Sequence, residues 1–221
     1  MIKAILFDFN GTLYLDRDIN KITWEETVNK LSKGRIDFEE FYPKYKSVHD
    51  YLVIKEIIRR YPDLKDEDID YWVDYKESAY RQYCVDHKRN KMTSGAEEFL
   101  SYVKEKGIKI GLCTSSIIDN VNFYYTNVKL DRWFKMENTI YDDGTYTSKT
   151  EMYLDCASRL NEKIEDCLII EDSPRAIQEA IKTGCQKIIA IKNQDSEKLD
   201  NPEVKQFIND FTEFDYSILD K

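Results

Sequence analysis

The sequence predicts an α/β protein: a doubly wound core with an open parallel sheet, carrying one inserted helical segment. Three observations lead there. Short apolar runs at 4–7, 108–113, 168–170 and 187–191 are continuous rather than alternating, as in strands covered on both faces. Amphipathic stretches at 96–106, 118–128, 152–160 and 176–183 separate them, so strand and helix alternate from about residue 92 onward. Between residues 15 and 91 no second core strand appears, and the chain there is helical, aromatic and charged throughout.

Taken in order, the first run, Ala4-Ile5-Leu6-Phe7, stops on Asp8 and is followed by the turn signal Gly11-Thr12. Helical periodicity then covers 24–31, 38–45, 51–61 and 69–84, with Tyr71, Tyr75, Tyr80 and Tyr83 at helical spacing expected to pack inside. A connection this long is not a simple βα loop. It is expected to be a helical cap domain, 15–91, placed above the C-terminal end of the first strand. Residues 1–14 and 92–221 then form the Rossmann-like core. Gly107 and Gly184 fall just past two core helices, where a left-handed C-terminal cap is wanted.

Composition narrows the class. The chain of 221 residues is 42% hydrophobic and 34% charged, an ordinary globular balance with room for a sizeable core. A net charge of −9 speaks against nucleic acid or an anionic membrane as partner, though a local cationic pocket for a small anion is compatible with it. No basic-then-apolar targeting segment opens the sequence and no apolar run nears the roughly 20 residues a membrane span needs. A cytoplasmic monomer is the expectation. The five scattered cysteines lack C-x-x-C spacing and sit in apolar patterns, as buried reduced thiols do.

Four features fall at ends of candidate strands: Asp8, then Thr114-Ser115, then Lys149 opening a helix, then Glu171-Asp172. Each has an ordinary structural explanation. Asp8 suits a strand-end turn, and Thr114-Ser115-Ser116 suits a helix cap. Ser148-Lys149-Thr150-Glu151 reads as a capping box, and Ser173-Pro174 reads as a cap with proline in the first turn. Their order at four strand ends of one sheet points beyond that. These residue types suit in-line phosphoryl transfer, which needs a nucleophile, charge neutralisation and a way to handle the leaving group. Asp8 is the candidate nucleophile, forming an aspartyl-phosphate. Asp8 and Asp172 are candidate ligands of Mg²⁺, a hard cation suited to oxygen donors. The Thr114 hydroxyl and Ser115 amide are candidate phosphate donors at the start of a following helix. Lys149 would place its ammonium between nucleophile and phosphate.

Together, "DFNGTL" and "LIIEDS" with Thr114 and Lys149 between them resemble the haloacid dehalogenase-like superfamily, over essentially the whole chain. The inserted helical segment is similar to the branch that holds β-phosphoglucomutase and small-metabolite phosphatases. The resemblance implies a Mg²⁺-dependent phosphatase acting on a small phosphorylated metabolite such as a sugar phosphate. It adds the main-chain carbonyl of Asn10 to the metal ligands and puts Glu171 just behind the metal. A phosphomutase and a weakly catalytic binding protein are the alternatives.

Two departures from the family pattern stand out. Lys149 is followed by Thr150-Glu151-Met152-Tyr153 rather than by Pro-x-Pro-Asp, two residues shorter. More consequential, Asn10 stands where these phosphatases and mutases usually carry an acid that protonates the leaving oxygen and then activates water. Loss of such a group typically costs about 10²–10⁴ in rate. The amide fits a natural site with a cap histidine (His49 or His87) or a good leaving group, an engineered trap, or a binding protein. Halide chemistry would also dispense with the acid, but it does not need the metal that Glu171-Asp172 suggests.

Overall fold

The computed structural model describes residues 1–46, 48–193 and 201–220. The chain divides into two compact units, Met1–Leu15 with Lys91–Lys221, and Asp16–Asn90.

The apolar runs of the first unit become strands because burial on both faces rewards unbroken hydrophobicity. They are β1 (Ala4–Phe7), β2 (Lys109–Ile117), β3 (Thr139–Asp142), β4 (Cys167–Glu171), β5 (Ile188–Ile191) and β6 (Val204–Ile208). All pair in parallel in the order β3-β2-β1-β4-β5-β6. β1 shows why the run cannot alternate. Ala4 and Leu6 join a core with residues of two helices described below, while Phe7, on the opposite face, meets Phe134 edge-on at 5.6 Å and Phe99 at 6.1 Å. The edge strands β3 and β6, only half-buried, lie outside the sequence expectation.

The second unit is a set of four helices: α1 (Arg17–Ser32), α2 (Phe38–Tyr45), α3 (Asp50–Arg60) and α4 (Ile69–Asp86). Asp37 and Asp68 cap α2 and α4 with their carboxylates, and the His49 Nδ1 atom caps α3 by accepting from the Tyr51 N–H at 3.3 Å. Apolar faces meet around Val28, Leu31, Phe41, Ile54, Ile57 and Leu64. Beside this core lies a buried ionic group. Lys76 pairs with Asp50 and Glu77, each at 3.0 Å, and its ammonium rests 5.2 Å from the Trp24 ring centre. Of the four tyrosines expected to pack, Tyr80 is buried and donates to Asp16, whereas Tyr71 is 58% exposed. Tyr71 is thus a correction: its spacing fits the helix, but it falls on the solvent side.

Helices α5 (Ala96–Glu105), α6 (Ile118–Asn127), α7 (Lys149–Arg159) and α8 (Pro174–Lys182) complete the first unit. α7 and α8 cover one sheet face through Met152, Tyr153, Cys156, Ile177 and Ala180. Gly107 and Gly184 adopt φ of 70° and 89° past α5 and α8, as the capping argument requires. All five cysteines are buried and unoxidised. Among the described residues no helix is long and apolar enough to cross a membrane.

Candidate active site

In this strand order the chain leaves β1 toward β2 on one side and returns to β4 on the other. Ligands of open α/β sheets bind in the crevice outside the strand ends at such a reversal. Asp8 lies one residue beyond β1, and its N–H continues the ladder to the Ile170 carbonyl at 3.0 Å. Phe7 pairs with Ile170, so Asp8 comes level with Glu171 at the end of β4. Asp172 follows directly. The three carboxylates each offer an oxygen within 4.8 Å of the others, and all three are buried.

Asp172 can sit there because residue 11 has no side chain. Gly11 takes a φ of 81°, and a Cβ on it would fall 2.2 Å from the Asp172 Oδ2 atom. The turn after Asp8 is itself held by Tyr14, which stacks on Phe9 at 5.5 Å while its N–H donates to the Phe9 carbonyl at 3.0 Å.

Lys149 is the first residue of α7, capped by Ser148, whose hydroxyl accepts the Glu151 N–H. The capping expectation holds, and the side chain nonetheless turns inward from N1. Its Nζ atom donates to Asp8 Oδ1 at 2.6 Å, to the Cys113 carbonyl at 2.8 Å and to Glu171 Oε1 at 3.1 Å. Tyr153, one helical turn on, donates to the same Glu171 oxygen at 3.0 Å. Glu171 Oε2 accepts the N–H groups of Asp172 and Ser173. Four donors thus hold Glu171 as an anchor for the ammonium.

Electrostatics follow from two buried carboxylates, Asp8 and Glu171, paired with one ammonium. Burial, then the neighbouring Glu171 charge, pushes the Asp8 carboxyl up to about 7 against the pull of Lys149. Burial alone would lower the Lys149 ammonium, but Asp8 and Glu171 outweigh it and raise its pKa. Burial also acts against Glu171, yet Lys149 and the two backbone N–H groups hold it below its ordinary value.

Thr114 is buried and Ser115 exposed. Both belong to β2, which continues to Ile117, and α6 starts only at Ile118. Placing Thr114 and Ser115 at the start of the following helix is corrected here: both lie within β2, at an irregularity in its pairing with β3 between Cys113 and Ile117, while the helix begins at Ile118 as the amphipathic stretch 118–128 requires. Beyond the expected residues, Ser116 and Tyr124 also belong to the site. Asn10 Oδ1 accepts from Ser116 Oγ at 2.8 Å, and Asn10 Nδ2 donates to the Tyr124 hydroxyl at 3.0 Å. Tyr124 arrives there because its ring packs 4.2 Å from Phe9. The run of three hydroxyl residues at 114–116 hinted at Ser116, whereas Tyr124 and Tyr153 looked like ordinary helix packing.

A sequence model described as haloacid dehalogenase-like hydrolase matches residues 2–184. The chain belongs to that family. The haloacid dehalogenase-like fold recurs closely in a solved hydrolase of family IA, variant 3, from Entamoeba histolytica. That protein is 26% identical with a TM-score of 0.88, covering 99% of this chain and 98% of its own. A Bacillus subtilis protein named "Putative phosphatase YhcW" is 26% identical over 197 residues, 86% of this chain and 83% of that one. CbbY from Rhodobacter sphaeroides, solved in complex with phosphate, shares the fold at 18% identity and a TM-score of 0.77, covering all of both chains.

Proposed function

We propose that this haloacid dehalogenase-like hydrolase is a Mg²⁺-dependent phosphatase of a small phosphorylated metabolite, with Asp8 as nucleophile. The observation that carries the reading is the buried group of Asp8, Lys149, Glu171 and Asp172 at the sheet's point of reversal. The name of the Bacillus relative and the phosphate held by CbbY agree with it.

The donor set fits a hard divalent cation, because oxygen ligands in excess negative charge are what such an ion takes. With Glu171 engaged by four donors, Asp8, Asp172 and the Asn10 main-chain carbonyl are the residues that would hold Mg²⁺. Bound there, the cation would offset the charge of phosphate and carboxylates so that two anions can meet.

The chain's own residues supply the rest. Lys149 fixes one Asp8 oxygen and adds a positive charge beside the incoming phosphoryl group. The Thr114 hydroxyl and the Ser115 amide, at the end of the neighbouring strand, are suited to donate to phosphoryl oxygens. Glu171 keeps Lys149 from swinging away, and Tyr153 steadies Glu171. The inserted helical segment takes the part of a substrate-selecting cap. A phosphomutase is less well served, because moving a phosphoryl group between sugar hydroxyls calls for an acid and base where Asn10 stands.

The test pairs chelation with Asp172→Ala. Turnover of an activated aryl phosphate should vanish on chelation and return with Mg²⁺, and calorimetry should show Mg²⁺ affinity falling at least about tenfold in Asp172→Ala. Unchanged affinity in that variant would remove Asp172 from the ligand set, and chelator-resistant turnover would remove the metal from the reaction.

A further inference from the structure

We infer that the substrate gives up its phosphoryl group from an oxygen that departs as a stable anion, as in an acyl phosphate, a phosphoanhydride, or an aryl or enol phosphate, rather than from an alcohol. The inference rests on the reading of Asp8 as nucleophile and names the substrate class of that same site.

Asn10 is surrounded by hydroxyl groups. Its Oδ1 accepts from Ser116 Oγ at 2.8 Å and from Thr114 Oγ1 at 3.4 Å, and its Nδ2 donates to the Tyr124 hydroxyl at 3.0 Å. Ser116 Oγ and the Tyr124 oxygen lie 3.4 Å apart, closing a ring of amide, phenol and hydroxyl. Both ends of the carboxamide are thus taken up by hydrogen bonds to hydroxyl groups. Carboxamides and aliphatic hydroxyls do not exchange protons near neutral pH, and phenols do so only around pH 10.

The titratable groups of the core site are committed elsewhere. The three donors of Lys149 go to Asp8, the Cys113 carbonyl and Glu171. Glu171 is held by four donors, and Asp8 and Asp172 form the cation site. Asp172 is anchored further by its main-chain carbonyl, which accepts from Asn193 Nδ2. The nucleophile is therefore fully furnished, while the position that would serve the leaving group offers hydrogen bonds and no proton.

The chemistry balances on those terms. An Asp8 oxygen forms its bond to phosphorus as the bond from phosphorus to the leaving oxygen breaks, and the electron pair departs with that oxygen. A carboxylate, phosphate, phenolate or enolate carries the pair without a proton, whereas an alkoxide does not. Water then bonds to phosphorus, the bond to Asp8 breaks with its pair returning to the carboxylate, and the water's proton leaves with phosphate into solvent.

The experiment measures single-turnover phosphorylation of the full chain with Mg²⁺ on acetyl phosphate, 4-nitrophenyl phosphate, phenyl phosphate and glycerol 3-phosphate. It is run with Asn10 in place and in Asn10→Asp, with Asp8→Ala as the blank and thermal melting as the check on folding. The rate should fall at least about 10²-fold from acetyl phosphate to glycerol 3-phosphate, the span a missing general acid typically costs. The gain from Asn10→Asp should be at least about thirtyfold larger on glycerol 3-phosphate than on acetyl phosphate. Asp8-dependent rates that ignore the leaving group would overturn the inference and leave Asp8 as nucleophile standing. A leaving-group dependence untouched by Asn10→Asp would also overturn it, because selectivity would then not reside at position 10. No Asp8-dependent phosphorylation by any member would remove the underlying reading, and the inference with it.

Discussion

Each unit of this chain holds a buried lysine between two carboxylates above an aromatic ring. In the α/β unit it is Lys149 with Asp8 and Glu171, 5.5 Å from the Tyr153 ring centre. In the helical unit it is Lys76 with Asp50 and Glu77, 5.2 Å from the Trp24 ring centre. Even the electrostatics run parallel. Burial pushes Asp8 up to about 7 and Asp50 up to about 6, while each lysine is raised by its carboxylates against the effect of burial.

What separates them is placement and surplus. The first group stands at strand ends beside a third buried carboxylate, Asp172. The second joins the N-terminal residue of α3 to the side of α4, and among the described residues no third acid shares its oxygen cluster. A buried ion pair is thus weak testimony to chemistry. The uncompensated charge at a sheet's point of reversal is the telling feature.

The comparison breaks most sharply on removing each lysine. Lys149→Met should slow phosphorylation of Asp8 by about 10²–10³-fold, the usual loss for one preorganised charge. Lys76→Met should instead cost about 3–5 kcal/mol of stability by leaving the buried Glu77 and the half-buried Asp50 without their partner, and should leave the rate on acetyl phosphate within about threefold. Thermal melts beside single-turnover rates decide it; the same loss in both variants would mean the two groups do one job.

A gentler test uses pH. A carboxyl whose folded pKa lies above its unfolded value binds its proton more tightly when folded. Its contribution is full below about pH 4 and is lost as pH rises through the folded value. In chelator, melting temperature should therefore fall as pH rises through about 6 and then about 7, for Asp50 and Asp8. Saturating Mg²⁺ should flatten the upper part, and Asp50→Asn the lower part. A slope that Mg²⁺ leaves untouched would separate Asp8 from the cation site.

The smallest effect is expected at Ser115. Its side chain is exposed, and the reading uses only its amide, so Ser115→Ala should lower turnover less than about threefold. Thr114→Val, which removes a buried hydroxyl, should lower it tenfold or more. Equal losses would assign the Ser115 hydroxyl a part in the site.

Much of this was legible in the sequence, for physical reasons that differ by element. β1 and β4 are central, so both faces demand apolar residues and the acids that end them stand out. β3 and β6 are edges, where Thr139-Ile140-Tyr141-Asp142 and Val204-Lys205-Gln206-Phe207-Ile208 need no continuous hydrophobicity, so neither announces itself. β2 runs on to Ile117, which pairs with Asp142, and the polar Thr114-Ser115-Ser116 fall in an irregularity of that pairing, so no apolar pattern marks the strand's extension. Asp8, Lys149, Glu171 and Asp172 were readable because each follows a structural break. Ser116, Tyr124 and Tyr153 act by where the fold brings them, and no spacing in the sequence records that Tyr124 would reach Asn10 from 114 residues away.

The most direct measurement of the central claim is to find the phosphoryl group. The protein is mixed with Mg²⁺ and acetyl phosphate, quenched in acid within one turnover, digested and mapped by mass spectrometry. On the proposed reading no acid–base residue at position 10 activates water, so the phosphorylated form of Asp8 should break down slowly. One phosphoryl group should therefore accumulate on the peptide containing Asp8, absent from Asp8→Ala and from the chelated protein. Steady turnover with no phosphoryl group on Asp8, or with one on another residue, would contradict the account.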